Sequence, residues 1–427
     1  MKPTIVASSS AVSAFRALAG AAALLVLAGC SGGPGNARLD AAEASGDGTL
    51  RIGLILDSTG NQAFLNDSQL AAATLAVKEI NAAGGHKGRP VELLPRPAGT
   101  DSAAQAAELV SAKADVVIGP ADSSHAPAAI DVLAKARVTL ISPANSAAGL
   151  TGYKSGGYYF RTAAADVAQA SVLVKLAKDG GAKSLAVVHQ DSAYGKDVAA
   201  AVATAAKNAG LDTVATAEFK PGDARKAASA AQAAKPDSVV LIARDDAQGA
   251  LAELNNAGLS GKKLILSDGA FAQYGSGLGS KALDGARAVV PGVFPSAGFQ
   301  ARLVAVNPAV KDLSFTAETY DAVNLAVLAA AAAEDDAGRS IAANLIAVSG
   351  GTAGGQTAGR SITPCLSFAD CLGVLKTGAP INYDGESGPV AFDANGDITT
   401  ANFMVFTYGA DNRAALSGRE AAGRAAG

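Results

Sequence analysis

Six short loops hold most of the side chains in this sequence suited to gripping a small molecule. They are Asp57–Phe64, Gly119–Ser124, Ser142–Ala147, His189–Tyr194, Ala243–Asp246 and Ser267–Phe271. Each follows a short apolar run, and together they gather serine, asparagine, aspartate and tyrosine. Hydroxyls, amides and carboxylates of this kind hold charged or hydrogen-bonding ligands reversibly. Hydrolysis by a serine nucleophile would need a Gly-x-Ser-x-Gly elbow with a histidine downstream. No such elbow occurs and no histidine follows His189. His125 and His189 read as rim or surface residues, and Arg244-Asp245-Asp246 reads as a solvated loop. The segment Gly350–Gly359 lacks the Lys-Ser/Thr of a phosphate loop and reads as a flexible connection. Nothing in these groups calls for a metal or a cofactor.

The elements that must carry these loops alternate. Leu50–Leu56 is apolar apart from Arg51 and Gly53, as in a strand buried on both faces. A helical period follows at Leu70, Ala73, Val77 and Ile80, and Gly84-Gly85 ends it. Further strands are expected at Val91–Leu94, Asp115–Ile118 and Val138–Ser142. A second run places strands at Ser184–Val188, Thr213–Phe219, Ser238–Ile242 and Lys263–Ser267, with alanine-rich helices between. Such alternation means parallel sheets covered by helices on both faces. Two runs of about four units mean two similar α/β lobes, each a doubly wound parallel sheet. Ligands of such sheets sit beyond the carboxyl ends of the strands, where these loops lie.

Composition bounds the alternatives. The 427 residues imply two or three domains at about 150 residues each. Hydrophobic residues make up 49% but aromatics only 5%, so alanine supplies much of the apolar fraction and of the mean hydropathy of +0.23. With 17% charged residues and a pI near 5.7, the chain is neither a disordered segment nor a nucleic-acid binder. Only the extreme N-terminus approaches membrane-spanning character.

That N-terminus reads as an address. Lys2 and Arg16 precede an uncharged run, Ala17–Ala28, that fits the apolar region of a secretory signal. It ends Leu27-Ala28-Gly29-Cys30 and resembles the lipobox of bacterial lipoproteins, in which the cysteine thiol carries a diacylglycerol; the alternative is an ordinary signal with a stray cysteine. On this reading 1–29 is a signal peptide, Cys30 the lipidation site and 30–48 a flexible tether. Losing Lys2 and Arg16 leaves 33 basic against 38 acidic residues, a net charge of −5. Two acyl chains hold a protein stably at a membrane, here its outer face. In an exported chain Cys365 and Cys371, six residues apart, read as a disulfide, the alternative being two buried thiols.

Beyond the loops themselves, four stretches resemble the leucine/isoleucine/valine-binding family of type I periplasmic substrate-binding proteins, which serve ABC importers. They are Ala76–Gly85 with Lys87-Gly88; Val117-Ile118-Gly119-Pro120 with Ser123-Ser124; Ile141-Ser142-Pro143-Ala144 with Leu150-Thr151; and Tyr194-Gly195 together with Gly385–Pro389 and Phe392-Asp393. The resemblance implies a three-strand hinge, with crossovers near Phe160–Thr162, Pro291–Val293 and Gly388–Val390. Lobe one would comprise 49–161 and 292–388, lobe two 162–291 and 389–411, and 412–427 would be a disordered tail.

The resemblance also implies a site. Ser123, with Ser124 beside it, and the amides of Ala144, Asn145 and Ser146 would hold a carboxylate from lobe one, and Ser146 would also hold an ammonium. Tyr194 would close over the ligand from lobe two and Asp268 would pair with the ammonium. Phe64 or Leu65 would wall the side-chain pocket, and Tyr320 would face the cleft. Ser123 and Ser146 are equally ordinary helix N-caps, and Asp268 an ordinary turn residue. The family usually carries glutamate where Asp268 stands and an aromatic near Arg244, so the pocket is expected to be more polar, or differently sized, than one for leucine. The function implied is lipid-anchored capture of an amino acid or similar molecule by a monomer, and its delivery to an ABC permease. A receptor passing occupancy to a membrane partner is the alternative.

Overall fold

The computed structural model describes residues 38–39, 41–58, 62–351 and 362–423. The proposed signal peptide, Cys30 and most of the glycine-rich segment lie outside them.

Lobe one opens with β1 (Arg51–Leu54), α1 (Asn66–Ala82), β2 (Glu92–Leu93), α2 (Ser102–Ser111), β3 (Val116–Ile118), α3 (Ala126–Lys135), β4 (Thr139–Ser142) and β5 (Tyr159–Arg161). The strands form one parallel sheet in the order β2-β1-β3-β4-β5. Alternate residues feed two cores: Ile52, Leu54, Val116 and Ile118 on one face, Ile55, Val117, Leu140 and Tyr159 on the other. This two-sided burial explains the unbroken apolar runs.

Lobe two follows with α4 (Gln169–Asp179), β6 (Ser184–Gln190), α5 (Ala193–Ala209), β7 (Asp212–Phe219), α6 (Arg225–Ala233), β8 (Ser238–Ile242), α7 (Ala247–Asn256), β9 (Leu264–Leu266) and β10 (Arg287–Pro291). The parallel order β7-β6-β8-β9-β10 repeats that of lobe one. Alanine is what lets the helices lie close: Ala227, Ala228, Ala231 and Ala250 are buried against Val239 and Leu241.

The chain then returns to lobe one as α8 (Ala297–Val306), α9 (Thr316–Ala333), α10 (Gly338–Val348), β11 (Thr363–Cys365), α11 (Phe368–Leu375), β12 (Ile381–Gly385) and β13 (Gly388–Pro389). Helix α9 is buried on every side from Thr316 to Ala330, as its apolar, alanine-rich sequence requires. Cys365 and Cys371 are disulfide-bonded, with Cα atoms 5.3 Å apart. Reducing this bond is expected to lower the unfolding free energy by about 2 kcal/mol, read from urea melts with and without reductant.

The ends of the chain differ from expectation in three places. β14 (Thr400–Tyr408) lies antiparallel to β10, and β15 (Ala414–Gly423) lies antiparallel to β14, so most of the expected disordered tail is an edge strand. It is held by backbone pairing to β14 along one side, which few apolar residues in the sequence signalled. The third crossover falls later than residues 388–390. Val390 and Phe392 belong to the core of lobe one, with the Phe392 ring 5.2 Å from Phe160, and Asp397 is bonded to Arg161. The expected tether is also docked before residue 48. The Gly46 and Gly48 amides donate to Asp335 and Asp336 at 3.0 and 3.1 Å, and the Glu43 amide donates to Ser340.

Candidate ligand-binding cleft

The loops at the carboxyl ends of the strands in both lobes meet around a cavity of about 520 Å³. Lobe one contributes Gln62, Asp122, Ser123, Ala144, Ser146 and Phe315, and lobe two contributes Asp166, Gln169, Arg244, Asp245, Asp268 and Gly269. Hinge residues Ala163–Ala165 and Pro291 close its back.

Ser123 is placed by a turn that only glycine fits. Gly119 has φ +107°, and a Cβ there would meet the Ile55 carbonyl oxygen at 2.2 Å. Beyond it, the buried Asp57 carboxylate accepts the Ala121 and Asp122 amides at 3.0 and 2.9 Å and sits 2.7 Å from His125 Nδ1. The Ser123 hydroxyl oxygen accepts the Ser146 and Ala147 amides at 3.1 and 3.3 Å. Its O–H remains to donate into the cavity. Ser142 organises the neighbouring loop, accepting the Ala144 and Asn145 amides and donating to the Pro120 carbonyl.

Several expected ligand groups are therefore already committed. The Ala144 and Asn145 amides serve Ser142, and Asn145 is fully buried. Its side-chain amide donates to the Pro120 and Ala121 carbonyls, acceptors that would otherwise be unsatisfied inside the lobe. Ser124 is exposed and bonded to Asp122, away from the cleft. Tyr320 does not face the cleft: it packs edge-on against Phe299 and donates to Glu79 in the helical layer of α1, α8 and α9. Phe64 is 59% exposed, and Leu65 is buried against Ala121, Ala144 and Phe315. Neither lines the cavity, whose aromatic lining comes from Phe315 and Phe403.

The wall of lobe two is a charge cluster. Asp268 accepts the Tyr194 hydroxyl at 2.5 Å and the Gln169 side-chain amide at 2.6 Å, while its own backbone N–H donates to Gln169 Oε1. Arg244 donates to Asp166 at 2.9 Å and lies 4.0 Å over the Tyr194 ring. Tyr194 is thus the support behind Arg244 and Asp268 rather than an open wall, and burial pushes its hydroxyl pKa well up. Gln190, at the end of β6, accepts the Arg244 and Asp245 amides and fixes that loop. Burial pushes the Asp166 carboxyl up to about 6 despite the Arg244 charge, and the nearby Asp268 adds to the rise. Asp166 and Asp268 thus face one guanidinium, with Asp245 a further carboxylate on the same wall, so acids outnumber bases there.

Asp166, Gln169 and Arg244 were not anticipated as site residues. Asp166 and Gln169 follow the first hinge strand, whose loop has no apolar strand of its own lobe before it. Arg244 was set aside because charged loop triples are usually solvated. The signal was its position at the end of β8, equivalent to other cleft loops.

The fold agrees with that of known proteins. A family profile described as periplasmic binding protein matches residues 49–370. A substrate-binding protein of a chemotactic signal transduction system from Halobacterium salinarum is 28% identical over 83% of this chain and 84% of its own. A leucine-, isoleucine-, valine-, threonine- and alanine-binding protein from Pseudomonas aeruginosa is 31% identical over 41% of this chain; the match spans 48% of that protein, about half its length. The crystal structure of a putative branched-chain amino acid ABC transporter protein from Rhodospirillum rubrum covers 86% of this chain and all of its own, at 22% identity and a TM-score of 0.66. With two like-ordered α/β lobes, a cleft at their strand ends and a profile match across most of its length, this chain belongs to the periplasmic binding protein family, with the type I fold.

Proposed function

We propose that this protein captures an amino acid or a closely related zwitterion between its lobes, outside the cytoplasmic membrane, and presents it to an ABC permease. The observation that carries this reading is the charge arithmetic of the cleft. Lobe one offers the neutral Ser123 hydroxyl to a carboxylate, and lobe two lines the cavity with Asp166, Asp245 and Asp268 against the single guanidinium of Arg244, a surplus of negative charge that is the counter-charge of an ammonium. A ligand touching both walls binds the closed form better than the open one, the differential affinity that closure requires. Lipidation at Cys30 would keep the protein beside its permease. The relative from a chemotactic system favours a second reading, a receptor that reports occupancy to a membrane partner.

A thermal-shift screen of the chain from Ser31 onward tests the ligand class. A ligand at a hundred times its Kd adds about 2.7 kcal/mol of stability. If no amino acid shifts the melt, the reading fails. Ser123→Ala is expected to weaken binding about tenfold, the scale of one hydrogen bond to a charged group, and to lower the unliganded melt modestly, because the Ser146 and Ala147 amides lose their acceptor. Equal affinities by calorimetry would remove Ser123 from the site.

A further inference from the structure

Arg244 has a use that the charge cluster does not exhaust. One terminal nitrogen, Nη2, holds Asp166, and the planar group rests on Tyr194. The other two nitrogens, Nε and Nη1, have no hydrogen-bond partner among the described residues, although the side chain is 45% exposed and lines the cavity. Its backbone is held by Gln190, and its ring platform by the Tyr194–Asp268 bond, so the guanidinium is held in place rather than free to swing. A guanidinium fixed in this way presents N–H donors in a plane, and asks for an acceptor on the ligand.

Charge decides which acceptor. Arg244 is already matched by Asp166 and stands near Asp268, and Asp245 and Asp122 add further negative charge to the lining. A ligand ammonium brings the Arg244–Asp166–Asp268 group to neutrality. A second carboxylate on the ligand would then enter a site with no uncompensated cation. A neutral carbonyl oxygen accepts from the Nε and Nη1 N–H groups without that repulsion. An apolar side chain would instead bury those N–H groups without a partner, which is unfavourable, the more so for a charged group.

Resting on the amino-acid reading above, we propose that Arg244 is a specificity-determining residue that selects ligands ending in a neutral carbonyl, a carboxamide above all, over apolar and acidic side chains. A site built to bond an acceptor rejects analogues lacking it far more strongly than an apolar pocket rejects a polar isostere.

Titration calorimetry with glutamine, asparagine, leucine and glutamate tests the assignment. The wild type is expected to bind at least one of the two carboxamides ten times or more tighter than leucine and than glutamate. In Arg244→Met the carboxamide-to-leucine ratio should collapse toward one, whereas Arg244→Lys, with a charge but no planar edge, should retain part of it. The ratio isolates the side-chain contact, because both ligands share the same ammonium and carboxylate; a purely structural role for Arg244 would move both affinities together. A ratio unchanged in Arg244→Met, or a wild type that prefers leucine or glutamate, overturns the proposal while leaving the amino-acid reading intact. Failure of all four ligands together with every other amino acid overturns both.

Discussion

Asp268→Asn is expected to weaken ligand binding about a hundredfold, the scale of losing one partner of a desolvated, hydrogen-bonded charge pair. The shape of the site survives: the asparagine oxygen can still accept from Tyr194 or Gln169, which hold the aspartate now. What disappears is the negative charge left over after Asp166 is matched by Arg244. The unliganded protein is expected to melt at the same temperature or slightly higher, since removing Asp268 relieves its repulsion of Asp166. Calorimetric titration beside an unliganded melt separates the two effects. A ligand affinity within threefold of wild type would show that the surplus charge is not what binds.

Asp166 gives the same argument a pH axis. Its carboxyl is raised from the ordinary value of 3.8 to about 6, mainly by burial. A raised acid contributes stability that is fully present below its unfolded pKa and is lost as pH rises through the folded one. The unliganded cleft is therefore eased by protonation between pH 6 and 4. Ligand binding runs the other way, because an ammonium needs the ionised form. Affinity is expected to fall as pH drops from 7 to 5, and Asp166→Asn should flatten that slope.

The alternation of Leu50–Leu56, Val116–Ile118 and Thr139–Ser142 with alanine-rich helices was legible because strands buried on both faces leave continuous apolar runs. The loops that close the cleft followed from the same rule. Ser123 and Asp268 lie in those loops and line the cavity, but the role of each was implied by the family resemblance rather than by the strand-end rule. Tyr320 was not, because a tyrosine on a fully buried helix is polar at one end only, and sequence does not say whether that end finds a ligand or Glu79. Phe64 and Leu65 adjoin the cleft loop, but a turn of helix sends one to solvent and the other into the core. Asn145 lay in the right loop, yet its side chain was spent on two carbonyls that only the folded lobe brings together. β15 escaped notice because an edge strand owes its place to backbone pairing more than to apolar residues.

The largest effect on stability is expected at the hinge. Arg161 ends β5, where the chain leaves lobe one, and it is fully buried. It donates to both oxygens of Asp397 at 2.7 and 3.0 Å, and also to the carbonyls of Asn145 and Ala147 and to the Thr151 hydroxyl. Asp397 stands just before β14 carries the chain into lobe two, so this one side chain ties two hinge strands to the loop that presents Ser146. Asp397→Asn leaves a buried guanidinium without its carboxylate, which costs about 3–5 kcal/mol. Replacing both partners with apolar residues, Arg161→Met with Asp397→Leu, removes the charge of Arg161 but leaves the Asn145 and Ala147 carbonyls unpaired and takes the Asp397 charge away from the buried Arg38. The double variant should therefore recover part of the loss but not all of it. Urea unfolding of the single and double variants gives the coupling energy directly. Additive losses would mean that the pair stabilises nothing together. Because the loop bearing Ser146 hangs on Arg161, the double variant should also bind ligand more weakly than its recovered stability suggests. A site held on a hinge in this way couples occupancy to the geometry of the strands that must bend when the lobes close.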